Sequence, residues 1–143
     1  MTETLRHAET DAEIAACFPV MRMLRPHLAT AEELCTRVRR QAEAGYCLLA
    51  AWRGDEAVGL AGYRPQENLI RGPFCYVDDL VVAEDMRRSG LGARLLTEVG
   101  IEARARGMPW LVLDTALDNS FGQRFYFRFG MLPAALRFAM RLG

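Results

Sequence analysis

The stretch Arg87-Arg88-Ser89-Gly90-Leu91-Gly92-Ala93 holds the residue types and spacing best suited to chemistry. It follows a strand-like run, residues 74–82, and opens a helix-like run, residues 91–106. Gly90 and Gly92 leave the backbone bare where one becomes the other. Bare amides at a helix N-terminus sit at the positive end of the helix dipole and attract phosphate oxygens. Arg87 and Arg88 add fixed positive charge and forked donors that match phosphate geometry. The local chemistry is that of an anion site, with a diphosphate as the natural guest. Turns also use glycine for its access to φ > 0 with no ligand present, so the loop alone leaves both readings open.

A scaffold to hold this loop can be read along the rest of the chain. Thr4–His7 reads as a short first strand. Thr10 or Asp11 caps a helix in which Ile14, Phe18, Met21 and Leu24 recur at helical spacing, and Pro26 ends it. Thr30, with Glu33 three residues on, has the pattern of a capping box; Leu34, Val38 and Gln41 share a face, and Gly45 stops that helix. Residues 46–52 have the length and apolarity of a buried strand. Arg53-Gly54-Asp55-Glu56 reads as a hairpin turn to a partner strand, residues 57–64. Residues 65–73 are expected to form a longer polar connection. Residues 74–82 form the third strand of this meander, with Asp78 and Asp79 unusually in its middle.

Leu91, Leu95, Leu96, Val99 and Ala103 predict an amphipathic helix, closed by Gly107. Residues 110–113 are wholly apolar, as expected for a strand buried on both faces. Strand, helix and strand in this order form a right-handed crossover, so the two strands run parallel. Asp118 or Asn119 caps a helix that runs to Phe129 and ends at Gly130. Residues 134–142 are expected to form a last strand paired with the one before it. The fold class is therefore α/β, with an antiparallel meander leading into a parallel pair and helices covering the faces.

Composition fits one domain over residues 1–143, with 51% hydrophobic and 25% charged residues. The formal net charge of +0 gives no electrostatic footprint for nucleic acid. All eighteen basic residues are arginine, which compositional bias of the genome explains. Cys17, Cys35, Cys47 and Cys75 show no metal or redox spacing and read as free thiols in a reducing cytoplasm. No stretch approaches the roughly 18 apolar residues of a membrane span, and the first ten residues lack a signal core.

Taken together, these motifs resemble the Gcn5-related N-acetyltransferase (GNAT) family. Tyr76-Val77-Asp78-Asp79-Leu80-Val81-Val82 is similar to the family's fourth strand. Arg87-x-x-Gly90-x-Gly92 matches its diphosphate loop of Arg or Gln-x-x-Gly-x-Gly or Ala. Asn119 followed by Phe125-Tyr126-x-x-x-Gly130-Met131 resembles its second motif. The order of elements fits from about Leu5 to Leu142.

The resemblance implies a mixed, mostly antiparallel sheet whose central parallel pair is splayed for acetyl-CoA. It implies acetyl transfer from acetyl-CoA to an amine, without a metal. Backbone groups at Leu80, Val81 and Val82 would hold the pantetheine arm and polarise the thioester carbonyl. The amides from Arg88 through Ser89, Gly90, Leu91 and Gly92 to Ala93, with Arg87 beside them, would take the diphosphate. Asn119 would contact the arm, and Tyr126 would protonate the departing thiolate. A phenol with a pKa of roughly 10 is close enough to a thiol for that transfer. An attacking amine must first lose a proton, and Asp78 and Asp79 are the candidate bases. In a regular strand only one can lie in the cleft, though a bulge changes this. An aspartate pKa of roughly 4 is low for a base unless burial raises it, so a water relay is an equal alternative.

The expected acceptor is a small-molecule primary amine, attacked directly in a ternary complex. The alternatives are a protein N-terminus or lysine as acceptor, or a non-catalytic acyl-CoA-binding module. Acidic residues at Asp78 and Asp79 are similar to polyamine-type members of the family. His27 reads as a surface-turn histidine, and Trp52 and Trp110 as core. Neither nucleic acid nor membrane is expected as a partner; the short C-terminal end is where a homodimer contact or an acceptor pocket is often shaped in this family.

Overall fold

Turn chemistry and apolar alternation lay the elements down in the order β1 (Thr4–His7), α1 (Asp11–Ala16), α2 (Phe18–Leu24), α3 (Ala31–Ala42), β2 (Cys47–Arg53), β3 (Glu56–Asn68), β4 (Gly72–Val82), a 3-10 turn (Glu84–Met86), α4 (Leu91–Ala105), β5 (Leu111–Leu113) and α5 (Ser120–Phe129). The structure is a computed structural model that describes residues 2–143. One five-stranded sheet has the order β1-β2-β3-β4-β5. Its first four strands pair antiparallel, and β5 lies parallel to β4. The chain falls into two compact units, Met1–Val112 and Leu113–Gly143.

In the first unit, one face of the sheet presents Leu48, Ala50, Trp52, Leu60 and Val81 to a layer built from Ile14, Cys17, Val20, Met21, Leu34 and Val38. On the other face α4 buries Leu91, Leu95, Leu96, Val99 and Ala103. Each such leucine, removed from water, stabilises the fold by about 1.5–3 kcal/mol. Gly59 on β3 lets α4 sit close, because a Cβ there would lie 3.1 Å from both Leu91 and Leu95. The first turn of α4 is also tied down by Arg94, which donates to the Glu3 carbonyl at 2.9 Å.

Three expectations for this unit are corrected. The single helix through Leu24 is two helices. Pro19 has no N–H to offer Ala15 and its ring crowds that carbonyl, so α1 stops at Ala16 and α2 starts afresh with proline in its first turn. The connection over residues 65–73 is mostly strand: β3 runs to Asn68 and β4 begins at Gly72. Asn68 closes the short turn itself, its side-chain oxygen accepting from the Ile70 and Arg71 amides at 3.1 and 2.8 Å. Gly72, at φ 70°, completes it. Finally, β5 is only half-buried rather than covered on both faces. Trp110 just before it is 49% exposed, with the Arg71 guanidinium stacked 4.2 Å over its ring, whereas Trp52 is buried as expected.

In the second unit, Asn119 caps α5 and Gly130 ends it at φ 107°. The last strand expected over residues 134–142 does not form. Leu136, Phe138, Met140 and Leu142 do alternate, but they stand 68%, 90%, 81% and 86% exposed. Alternation is only half of a strand; the other half is a hydrogen-bonded ladder, and this segment has none.

Candidate active site

The glycine loop forms where β4 gives way to α4. After Val82 a 3-10 turn places Met86 in the core, where it is 7% exposed and anchors an otherwise exposed loop. Arg87, Arg88, Ser89 and Gly90 are all exposed. Arg88 sits at φ 68°, among the described residues the one non-glycine residue in left-handed conformation. Gly90 follows at φ 86° and serves as the N-cap of α4 with no side chain to cap it. The Leu91 amide is satisfied by the Ser89 hydroxyl at 3.3 Å. The Gly92 and Ala93 amides belong to a first turn that has no intrahelical acceptors. No heavy atom lies within 4 Å of where a Gly90 Cβ would be. Uncapped amides, two arginines and open space beside them fit a diphosphate.

β4 outlasts its parallel neighbour. The two strands join where the Cys75 amide donates to the Trp110 carbonyl at 2.8 Å. From there β4 continues to Val82, whereas β5 ends at Leu113. Leu80, Val81 and Val82 therefore lie on a stretch of β4 that a parallel strand of this length does not accompany, directly ahead of the loop.

Asp78 and Asp79 lie at a bulge. The β3–β4 register pairs Gly62 with Asp79 and Tyr63 with Val77, leaving Asp78 as the extra residue. Both carboxylates carry an arginine. Arg64 Nε donates to Asp78 Oδ2 at 2.8 Å. Arg25 Nε donates to Asp79 Oδ1 at 2.9 Å, and its Nη2 donates to the Asp78 carbonyl at 2.8 Å. The Tyr46 hydroxyl donates to Asp79 Oδ2 at 2.7 Å. Arg64 also stacks 5.2 Å over the Tyr46 ring and donates to Gln41. Burial raises the Asp78 carboxyl above its ordinary value, opposed by Arg64. Burial, then the negative charge of Asp79, push the Tyr46 phenol well up, so it stays a donor.

Arg25, Arg64, Tyr46 and Gly62 were not singled out by sequence reading. Gly62 held the one available signal, since an isolated glycine inside a strand pattern marks a bulge or a close approach. Tyr46 read only as the first residue of an apolar run. His27 lies exposed in the turn after Arg25, as expected.

In the second unit, Asn119 and Tyr126 sit on the same element. The Asn119 side chain is engaged as a cap: its Oδ1 accepts from the Gly122 amide at 3.0 Å, and its Nδ2 donates to Thr115 Oγ1 at 3.0 Å. Tyr126 and Phe125 are half-buried and meet edge to face at 5.3 Å, while Phe127 points outward at 55% exposure. Three adjacent aromatics on a helix cannot share one face, and these do not. Burial raises the Tyr126 phenol above its ordinary value, which keeps it protonated. Cys75 is fully buried and its thiol is pushed up to about 11 by that burial, which suits packing rather than nucleophilic attack. Among the described residues no cluster of His, Cys, Asp or Glu side chains is arranged to hold a metal ion, and no helix is long and apolar enough to cross a membrane.

A family model described as "Acetyltransferase (GNAT) family" matches residues 8–131. The chain is 25% identical over 122 residues to a Bacillus subtilis (strain 168) protein named "Uncharacterized N-acetyltransferase YhdJ", a match covering 85% of this chain and 86% of that one. Among solved structures, a Trypanosoma brucei acetyltransferase superposes with a TM-score of 0.82 at 20% identity, over 98% of this chain and 99% of its own. AAC(6')-Iy in complex with the bisubstrate analog CoA-S-monomethyl-acetylneamine superposes with a TM-score of 0.85 at 15% identity, over 100% and 99%. At these identities the structural likeness is one of fold.

Proposed function

The chain belongs to the GNAT acetyltransferase family, and from that premise we propose that it moves an acetyl group from acetyl-CoA to a primary amine of a small molecule, by direct attack in a ternary complex. The observation that carries this reading is the N-terminus of α4 behind Gly90, where the Gly92 and Ala93 amides have no helix acceptor and Arg87 and Arg88 are exposed beside them. Acetyl-CoA, when bound, supplies an acyl carbon activated as a thioester.

The chain's own part follows from its chemistry. The amides of residues 88–93 hold the diphosphate, helped by the dipole of a fifteen-residue helix. Backbone groups at Leu80, Val81 and Val82 orient the arm and supply fixed dipoles where negative charge develops. Asn119 fixes the start of α5 by capping it, beside its assigned contact with the arm. Tyr126, protonated through neutral pH, gives a proton to the leaving sulfur. The bulged carboxylate pair at Asp78 and Asp79 serves the proton that the acceptor amine must lose. The inert thiol of Cys75 supports direct attack over an acyl-cysteine route. The four free thiols support a cytoplasmic setting.

AAC(6')-Iy, by the name of its complex, binds a CoA conjugate of an acetylated neamine; a likeness of fold to it supports amine-bearing small molecules as the class to try first. The test is calorimetric titration with CoA, followed by acetyl transfer from acetyl-CoA across a panel of aminoglycosides, polyamines, amino-acid amides and peptides. CoA binding with acetylated small-amine product is the expected result. Product on peptides alone would move the acceptor to proteins. Tight CoA binding with no product from any amine would favour a non-catalytic binding module.

A further inference from the structure

We infer that Tyr46 and Arg25 are positioning residues that lock Asp79, and that Asp78 is the carboxylate left to take the acceptor's proton. This rests on the acetyl-transfer reading above and adds to it a division of labour between two adjacent acids.

The two carboxylates are held differently. Asp79 has both oxygens engaged, Oδ1 by Arg25 and Oδ2 by Tyr46, and its side chain is 14% exposed. Asp78 uses Oδ2 for Arg64, accepts at Oδ1 from no described residue, and is 25% exposed. Protonating Asp79 removes the charge that pairs with Arg25 and sets the new O–H against a donor already in place, Arg25 at Oδ1 or the buried Tyr46 hydroxyl at Oδ2, and displacing either costs about 1–3 kcal/mol for an unmet buried group. Protonating Asp78 at Oδ1 weakens the charge pairing with Arg64 but leaves the Arg64 hydrogen bond at Oδ2 in place and displaces no other donor.

The lock also sets where Asp78 points. Asp78 is the extra residue of the bulge, so ladder pairing alone does not fix it. Arg25 reaches across two residues, with Nε on the Asp79 carboxylate and Nη2 on the Asp78 carbonyl. Tyr46 joins both ion pairs, through its hydroxyl to Asp79 and through its ring face to the Arg64 that holds Asp78. The charged and titratable groups facing Asp78 are thus Arg64 from β3, Asp79 and the neutral Cys75 thiol from β4, Arg25 from the turn after α2 and, beyond Arg64, Tyr46 ahead of β2. The two arginines cancel the two acids, so this cluster offers no bare anionic pocket to a polycation.

The step balances simply. An ammonium acceptor gives one proton to Asp78 Oδ1, leaving a neutral amine with a free lone pair and a neutral carboxyl that returns the proton to water. Burial, which raises the Asp78 carboxyl, moves it toward the range where this exchange is efficient.

The experiment is carboxyl-13C titration of the full chain labelled at aspartate, assigned with Asp78→Asn and Asp79→Asn, in wild type, Tyr46→Phe and Arg25→Lys, each checked by thermal melt and CoA titration. Asp78 is expected to titrate above the ordinary aspartate range. Its midpoint is expected to move by about half a unit or more in Tyr46→Phe or Arg25→Lys, with CoA affinity unchanged. A midpoint at or below the ordinary range, or one that neither variant moves, overturns the inference. For any amine that the panel shows to be acetylated, Asp78→Asn should lose about 100-fold or more in kcat/KM and flatten its acid limb. Asp79→Asn should lose less than about 10-fold and keep that limb; the reverse order overturns the assignment. If wild type binds CoA but acetylates nothing, the transfer reading fails by itself, and the titration still decides the lock.

Discussion

The hydroxyl of Tyr46 passes over the backbone of Gly62 so closely that a Cβ at residue 62 would lie 1.9 Å from its oxygen and 2.8 Å from Asp79 Oδ2. The missing side chain of a β3 glycine is what lets a buried phenol reach a β4 carboxylate. Gly62→Ala must therefore expel the hydroxyl or shift the strand. Overpacking of this kind costs about 1–3 kcal/mol. The melting temperature should fall by about 3–9 °C, at roughly 3 °C per kcal/mol for a chain of this size. Turnover should fall with it while CoA affinity at the glycine loop is kept. A melt indistinguishable from wild type would show that Tyr46 does not occupy this place.

Much of this arrangement was open to sequence reading, and the rest failed for physical reasons. The glycine loop was legible because strand, turn and helix signals are local and consecutive from residue 74 to 106. Thr10, Thr30 and Asn119 act as caps as their residue types foretell. The Arg25–Asp79 and Arg64–Asp78 pairs were invisible because they join residues 54 and 14 positions apart through a register that a single bulge decides. Residues 134–142 misled because alternation reports which faces are apolar, and says nothing of whether a neighbouring edge is there to pair. Gly122 carries a constraint of the same kind: a Cβ there would lie 2.4 Å from the capping side chain of Asn119, and only the folded cap reveals it.

Glu13 gives a test of the scaffold alone. The Thr10 amide first, then the Glu9 amide and Arg6, hold its carboxyl down at about 2 from an ordinary 4.5. A group depressed in the folded state stabilises above its unfolded value and loses that contribution as pH falls through its folded value. The melting gap between wild type and Glu13→Ala should therefore be full above pH 4.5 and close as the pH falls toward about 2. A gap independent of pH would mean that the cap works without its charge.

Arg88 separates strain from binding. Left-handed backbone costs a non-glycine residue about 1–2 kcal/mol, and Arg88 sits there at φ 68°. Arg88→Gly should raise the melting temperature by up to about 3 °C, since the relieved strain exceeds the added freedom of the unfolded chain. The same change should weaken CoA by about 10-fold or more, the worth of a charge-assisted hydrogen bond of about 1.5–3 kcal/mol. Differential scanning fluorimetry and CoA titration on one sample read both. A stabler protein that binds CoA as well as wild type would remove Arg88 from the diphosphate site.

Tyr126 tests the chemical step. Burial raises its phenol, so the acid form persists to higher pH than for a free tyrosine. If this group delivers a proton to the leaving sulfur, kcat should decline only above the ordinary phenol value of about 10. Tyr126→Phe should abolish that decline and lower kcat by about 100-fold, the lower end of what a positioned general acid contributes. CoA affinity should change by less than about two-fold, because removing one hydroxyl leaves the aromatic contact with Phe125 in place. Stopped-flow release of free thiol across pH 6 to about 11 separates the outcomes. Loss of affinity with kcat unchanged would make Tyr126 a binding contact, and an unaltered pH profile would assign the departing proton to water.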